Sequence, residues 1–150
     1  MAKSFKFVTA PGHLIRRAHQ VAVAVFMEET AQFEVTPVQF AILNALIDEP
    51  GEDQVTLAGR VAFDAATSGS VISRLEGKGW IRRESDPSDR RRKLLWVTPA
   101  GEKVALQMKR AVTKVQSRVL APLDAVEGEE LVRLLDKLVR GHEQLGDSGA

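Results

Sequence analysis

Apolar residues recur at helical spacing along most of the chain. Leu14, Ala18, Val21, Val25 and Phe26, flanked by Ile15, Ala22 and Phe33, punctuate a stretch from His13 to Phe33 that holds no proline or glycine. This predicts a helix with a broad apolar face, wider than one contact with the protein's own core needs. The residues before it, 1–12, read as a short arm ending in Pro11-Gly12. Thr36-Pro37-Val38-Gln39 predicts the next helix start: Thr36 caps, Pro37 suits the first helical position and Gln39 completes a capping box. Phe40, Ile42, Leu43, Leu46 and Ile47 continue it until Pro50-Gly51. Asp53 caps a short helix through Val55, Leu57, Ala58 and Val61, and Phe63-Asp64-Ala65 reads as a tight turn. A further helix follows from about Ala66 to Lys78, with Val71, Ile72 and Leu75 inward and Gly79 suited to a left-handed C-cap. Two short helices joined by a tight turn form a helix-turn-helix pattern.

The period then changes. Trp80-Ile81-Arg82-Arg83-Glu84 and Leu94-Leu95-Trp96-Val97 have strand character, and the loop cluster Ser85-Asp86-Pro87-Ser88-Asp89 between them predicts a hairpin. Helical spacing returns after Thr98-Pro99, with Val104, Met108, Ala111, Val112, Val115 and Val119 on one side and Pro122 near the end. From about Glu127, Leu131, Leu134, Leu135, Leu138, His142 and Leu145 make a last stripe, followed by a frayed tail. The expected fold class is therefore mainly α with a small β-hairpin. The broad first helix and the leucine stripe of the last both call for partners, which predicts a homodimer.

Composition narrows the chemistry. The chain has 150 residues, 44% hydrophobic and 27% charged, which suits one globular domain. With no cysteine there is no disulfide, Cys nucleophile or Cys-ligated metal, and three histidines make a multi-His metal site hard to build. No catalytic motif, phosphate loop or paired carboxylate of strong spacing is found, so neither an enzyme nor a cofactor is expected. Pro11-Gly12-His13 interrupts any signal-like start, and no apolar run approaches a membrane span. A cytoplasmic protein is the expectation.

The net charge is +1, so the distribution of charge matters more than its sum. Between Ile72 and Lys93 stand eight basic and four acidic residues, whereas from Asp124 onward there are seven acids and three bases. The basic part coincides with the helix-turn-helix and hairpin, which points to nucleic acid. Phosphate attracts Arg and Lys whatever the base sequence. Specificity would come from the second short helix, where Thr67, Ser68 and Ser70 are short donors and acceptors and Ser73, Arg74 and Lys78 follow. Thr67 or Ser68 may serve equally as the helix cap, a role that overlaps with phosphate contact. Arg90, Arg91 and Arg92 at the hairpin tip are either solvated charge or, beside a recognition helix, a minor-groove probe. Asp89 suits a buttress for one of these arginines.

Three stretches carry a resemblance. Leu75-Glu-Gly-Lys-Gly-Trp-Ile81, Asp86-Pro-Ser-Asp-Arg-Arg-Arg-Lys-Leu-Leu-Trp-Val-Thr-Pro-Ala-Gly101 and Thr36-Pro-Val-Gln-Phe-Ala-Ile-Leu43 resemble the multiple-antibiotic-resistance regulator (MarR) family. The resemblance implies a winged helix-turn-helix over 36–98, flanked by dimerisation helices at 13–33 and 99–145 in a single domain spanning 1–150. It also implies a repressor that binds double-stranded DNA and is released by a small phenolic or aromatic carboxylate. By the same analogy Arg90 is the wing-tip residue and Thr67, Ser68 and Ser70 lie on the recognition helix. Ser68-Gly69-Ser70 departs from the bulkier or basic residues common there. A two-fold dimer predicts a pseudo-palindromic operator.

The same family places an effector cleft among its first, second and fifth helices. His13, Arg16, Arg17 and His19 open the first helix here, and Phe40 and Asn44 lie one turn apart on the second. An arginine fork would take a carboxylate, a histidine a hydroxyl or ring nitrogen. The alternative is solvated arginines and packed histidines. Pro11-Gly-His-Leu-Ile-Arg-Arg17 also resembles regulators of aromatic and hydroxynicotinate breakdown. The competing classes are an architectural DNA-binding protein that senses nothing and a winged-helix protein-interaction module.

Overall fold

A computed structural model describes residues 4–61 and 65–147. The chain divides into two compact units, Met1–Val115 and Gln116–Ala150. Among the described residues six α-helices and a three-stranded sheet follow in the order α1 (Pro11–Glu29), α2 (Pro37–Asp48), β1 (Glu52–Asp53), α3 (Gln54–Arg60), α4 (Ala65–Gly77), β2 (Ile81–Ser85), β3 (Lys93–Val97), α5 (Pro99–Leu120) and α6 (Ala125–Asp147).

The helix boundaries follow local capping chemistry. Thr36 Oγ1 accepts the Gln39 N–H at 3.2 Å, and Gln39 Oε1 accepts the Thr36 N–H at 3.2 Å, closing the expected capping box. Asp53 Oδ1 accepts the Val55 and Thr56 N–H groups, each at 3.1 Å, and so starts α3. At the end of α4, Gly79 has φ +74°, its N–H bonds the Glu76 carbonyl and the Trp80 N–H bonds the Leu75 carbonyl. That pair of bonds is a Schellman C-cap. Asp124 and Glu127 cap α6 reciprocally, so it begins at Ala125, slightly ahead of the expected start.

The first helix differs from expectation at both ends. Pro11 is its first residue rather than the end of an arm, because proline lacks the N–H that the first turn leaves unpaired. It stops at Glu29, and Ala31–Phe33 form a separate 3-10 turn. Thr30, 1% exposed, explains the break: its hydroxyl donates to the Phe26 carbonyl at 2.7 Å, and Glu34 then turns left-handed at φ 51°. The tight turn expected at Phe63-Asp64 lies outside the described residues.

The sheet order is β1-β3-β2, all antiparallel, with Ile81 opposite Val97, Arg83 opposite Leu95 and Ser85 opposite Lys93. The hairpin was expected, but β1 was not. Two residues are too few for a sequence period, and pairing with Leu94 and Leu95 alone makes Glu52 and Asp53 a strand. Ile42, Leu43 and Leu46 of α2, Leu57 of α3, Ile72 and Leu75 of α4, Ile81 of β2 and Leu95 of β3 form one buried cluster. Each such side chain contributes about 1.5–3 kcal/mol, so α4 and the hairpin are held on a single support.

In the second unit, Leu120 packs over Gly128. The stripe of α6 stays open: Leu131, Leu134, Leu135, Leu138 and Leu145 are 37–71% exposed. No helix among the described residues is long and apolar enough to cross a membrane.

Candidate nucleic-acid interface

Helical periodicity splits the residues of α4 into two sets. Ile72 and Leu75 are fully buried, and Ser68, four residues before Ile72 and seven before Leu75, is buried with them at 1% exposure. The expectation that Ser68 reads DNA is therefore corrected: it sits on the inner face, its hydroxyl without a hydrogen-bond partner. Thr67, Ser70, Ser73 and Arg74 are exposed on the other side. Ser73 Oγ accepts from Arg83 Nη2 at 3.3 Å.

Lys78 is committed elsewhere. Its ammonium donates to the Glu34 carbonyl at 2.8 Å and lies 4.5 Å from the centre of the Trp80 ring. The left-handed turn at Glu34 aims that carbonyl toward the end of α4, so Lys78 ties α4 to the entry of α2. Its placement fits a structural tie better than the DNA contact expected of it.

At the hairpin tip, Arg90 and Arg91 are exposed. Asp89 is indeed a buttress, but of the backbone: its carboxylate accepts the Arg91 N–H at 3.0 Å and its carbonyl the Arg92 N–H at 2.9 Å. Arg92 turns inward. Its guanidinium pairs with Asp53 at 3.1 Å and with Asp86 at 3.3 Å. Asp86 also accepts the Ser88 N–H at 2.9 Å and hydroxyl at 2.7 Å. These Ser88 bonds, and then Arg92, hold the Asp86 carboxyl below its ordinary value. Asp53 is held at about 2, first by the Thr56 hydroxyl and N–H and then by Arg92.

Sequence reasoning passed over Arg83, Asp53, Asp86 and Gln54. Arg83 reaches from β2 to Gln54 of α3 at 3.3 Å and to Glu76 of α4 at 3.2 Å, besides Ser73. Its strand position opposite Leu95 places it beside the inner end of the helix-turn-helix, but its partners lie 7 to 29 residues away. Between α3, α4 and the hairpin lies a cleft of about 410 Å³ lined by Gln54, Val55, Ser68, Arg83, Arg91, Arg92 and Lys93 among others.

The residues expected to bind ligand are distributed differently. His13 stacks on Phe7 with ring centres 4.5 Å apart and lies 3.4 Å from the Arg16 guanidinium; Arg17 donates to Gln20 at 3.0 Å. Arg16, Arg17 and His19 are exposed. Asn44 donates to the Phe40 carbonyl at 2.8 Å, and the Phe40 ring lies 6.0 Å from Phe26. Phe26 is ten residues beyond Arg16 on α1, roughly 15 Å at the helical rise. One protomer therefore does not bring Arg16 and Phe40 together.

An α2-α3-α4 bundle, a three-stranded sheet whose β2-β3 hairpin projects beside the exposed face of α4, and an arginine-bearing hairpin tip define a winged helix-turn-helix. Residues 35–93 match the MarR family model. The transcriptional regulator HosA of Escherichia coli is 32% identical over 127 residues, 85% of this chain and 93% of its own. The transcriptional repressor NicR of Pseudomonas putida is 29% identical, over 90% of this chain and 85% of its own. Among solved structures, Bordetella bronchiseptica BpsR, whose DNA binding is regulated by 6-hydroxynicotinic acid, superposes with a TM-score of 0.86 at 31% identity, over 91% of this chain and 98% of its own. The chain belongs to the MarR family of transcriptional regulators.

Proposed function

We propose that this protein is a cytoplasmic, homodimeric repressor that binds a pseudo-palindromic DNA operator and releases it on binding a small aromatic acid. The observation that carries the reading is the shared orientation of two basic elements. Arg74 is exposed on α4, Arg90 and Arg91 are exposed at the wing tip, and both elements rest on one core. Phosphate contacts from such a pair fix register, and the exposed Thr67, Ser70 and Ser73 meet base edges. The relatives support the rest of the reading: NicR is a repressor, and 6-hydroxynicotinic acid regulates the DNA binding of BpsR.

The open stripe of α6 and the exposed Leu14, Ile15 and Val21 of α1 support a second copy as the partner. A dimer also bears on ligand binding. Arg16 and Arg17 would hold the carboxylate, His13 and His19 a ring substituent, and the second copy would complete the site that Phe40 and Asn44 are too far away to complete within the same protomer. Release then requires the ligand to favour the DNA-incompetent wing spacing. A hundredfold effect needs about 2.7 kcal/mol of differential affinity.

The test is fluorescence anisotropy on the protein's own upstream intergenic duplex and on a random duplex, across a salt series. The expected result is a preference of roughly a thousandfold or more for the upstream duplex. Arg90→Ala should lower the salt slope by about 0.9. Addition of 6-hydroxynicotinic acid or a related aromatic acid should release the complex. Equal affinity for both duplexes would indicate an architectural protein, and no binding a protein-interaction module.

A further inference from the structure

The geometry points to Arg92 as a positioning residue that sets where the wing stands relative to the recognition helix, not as a contact with DNA. This inference rests on the DNA-binding reading above. Arg92 closes the wing tip with its backbone: its carbonyl accepts the Asp86 N–H at 3.0 Å and its own N–H bonds the Asp89 carbonyl at 2.9 Å. Its side chain then leaves the hairpin. It reaches Asp86 at the outer end of β2 and Asp53, 39 residues away, at the first turn of α3. The two carboxylates have side chains 11% and 15% exposed, whereas the Arg92 side chain is 52% exposed. One guanidinium therefore bridges two largely covered acids on two elements.

Each acid is also held by its own element. Asp53 Oδ1 caps α3, and its Oδ2 takes both the Thr56 hydroxyl at 2.6 Å and Arg92. Asp86 Oδ1 organises Ser88, leaving Oδ2 for Arg92. A motion of the wing away from α3 must therefore break the Arg92 bridge before it disturbs either cap. The β1-β3 pairing is only two residues long, so it leaves the angle of the wing weakly defined without that bridge. Arg90 and Arg91, two and one residues before Arg92, take their direction from it.

Electrostatics separates this role from a direct contact. Arg92, Asp53 and Asp86 together carry one net negative charge, so the cluster as a whole does not attract phosphate. If only charge mattered, removing the Asp86 carboxylate would tighten DNA binding. If Arg92 positions the wing, the same change weakens operator binding although it makes the protein more basic.

The experiment compares wild type, Arg92→Ala, Arg92→Lys, Asp86→Asn and the Arg92→Ala/Asp86→Asn double variant on the upstream intergenic duplex and a random duplex, with thermal melts as a check on folding. Asn keeps the oxygen that Ser88 uses. The expected result is a loss of about five- to tenfold in upstream-duplex affinity for Arg92→Ala and for Asp86→Asn, no further loss in the double variant, and no loss on the random duplex. Arg92→Lys, with a compact ammonium in place of the fork, should be intermediate. Tighter binding of Asp86→Asn to both duplexes overturns the proposal. So does a salt slope lowered by about 0.9 in Arg92→Ala on the random duplex, the mark of a lost phosphate contact. If wild type itself does not prefer the upstream duplex, the functional reading fails separately. Amide hydrogen exchange then decides: faster exchange in Arg92→Ala at both the wing tip and the first turn of α3 sustains the bridge, and unchanged exchange at either overturns it.

Discussion

Asp53 shows how much one side chain determines at the smallest scale. Its carboxylate starts a helix, accepts a hydroxyl and anchors the wing, and the strand pairing of its backbone joins α3 to the sheet. Because the folded protein holds this carboxyl at about 2, against 3.8 for the free group, the charged form is favoured by folding. The resulting stability is complete above about pH 4 and is lost as the pH falls through about 2; allowing for solvent contact it amounts to about 1–2 kcal/mol. Asp53→Asn should therefore be less stable than wild type near neutrality by about that amount, with the gap closing toward pH 2. Melting temperatures across that range test it, and an equal gap at both ends would show that the charge is not what matters. Asp53 as a cap was legible in the sequence because capping is local. Its bond to Arg92 was not, because nothing within a few residues of either names the other.

At the scale of elements, the junction between the wing and α5 turns on one glycine. Gly101 is buried in the first turn of α5, and a Cβ there would collide with the Trp80 carbonyl and crowd Val97. The backbone at Trp80 cannot give way easily, since its carbonyl accepts the Thr98 N–H at 2.9 Å, and the Thr98 hydroxyl in turn donates to the Gly79 carbonyl at 2.6 Å. Gly101→Ala should cost about 1–3 kcal/mol by chemical denaturation, despite the better helix propensity of alanine. A loss under about 0.5 kcal/mol would mean that α5 shifts without penalty. The Thr98-Pro99 start was readable from sequence, as was the Thr36-Pro37 start. The role of Gly101 was not, because the atom it makes room for belongs to another element. Ser68 is the reverse case: its spacing to Ile72 and Leu75 already put it on the inner face, and reading residue type ahead of period misplaced it.

For the whole molecule, the second unit is the part least explained by a single copy. An amphipathic helix with five leucines 37–71% exposed is not stable chemistry for a monomer surface. Replacing Leu135 and Leu138 with glutamate should leave the buried cluster of the first unit intact and shift the protein to monomer in sedimentation. Upstream-duplex affinity should then fall by about a hundredfold or more, because the second half-site is no longer tethered to the first. A variant that remains dimeric would move the interface elsewhere.

What the sequence determined by itself are the features that short-range physics controls: the helix periods, the caps at Thr36, Asp53 and Thr98, the left-handed glycine at position 79, and the hairpin with its basic tip. Each depends on residues within about one or two turns of one another. Only the tertiary structure decided which of the charged residues are free. It turned Lys78 onto a carbonyl 44 residues away and Arg92 onto a carboxylate 39 residues away, made a strand of Glu52 and Asp53, and left Arg74, Arg90 and Arg91 exposed. Long flexible basic side chains carry no period, and their partners are whatever oxygen the packed core brings within reach.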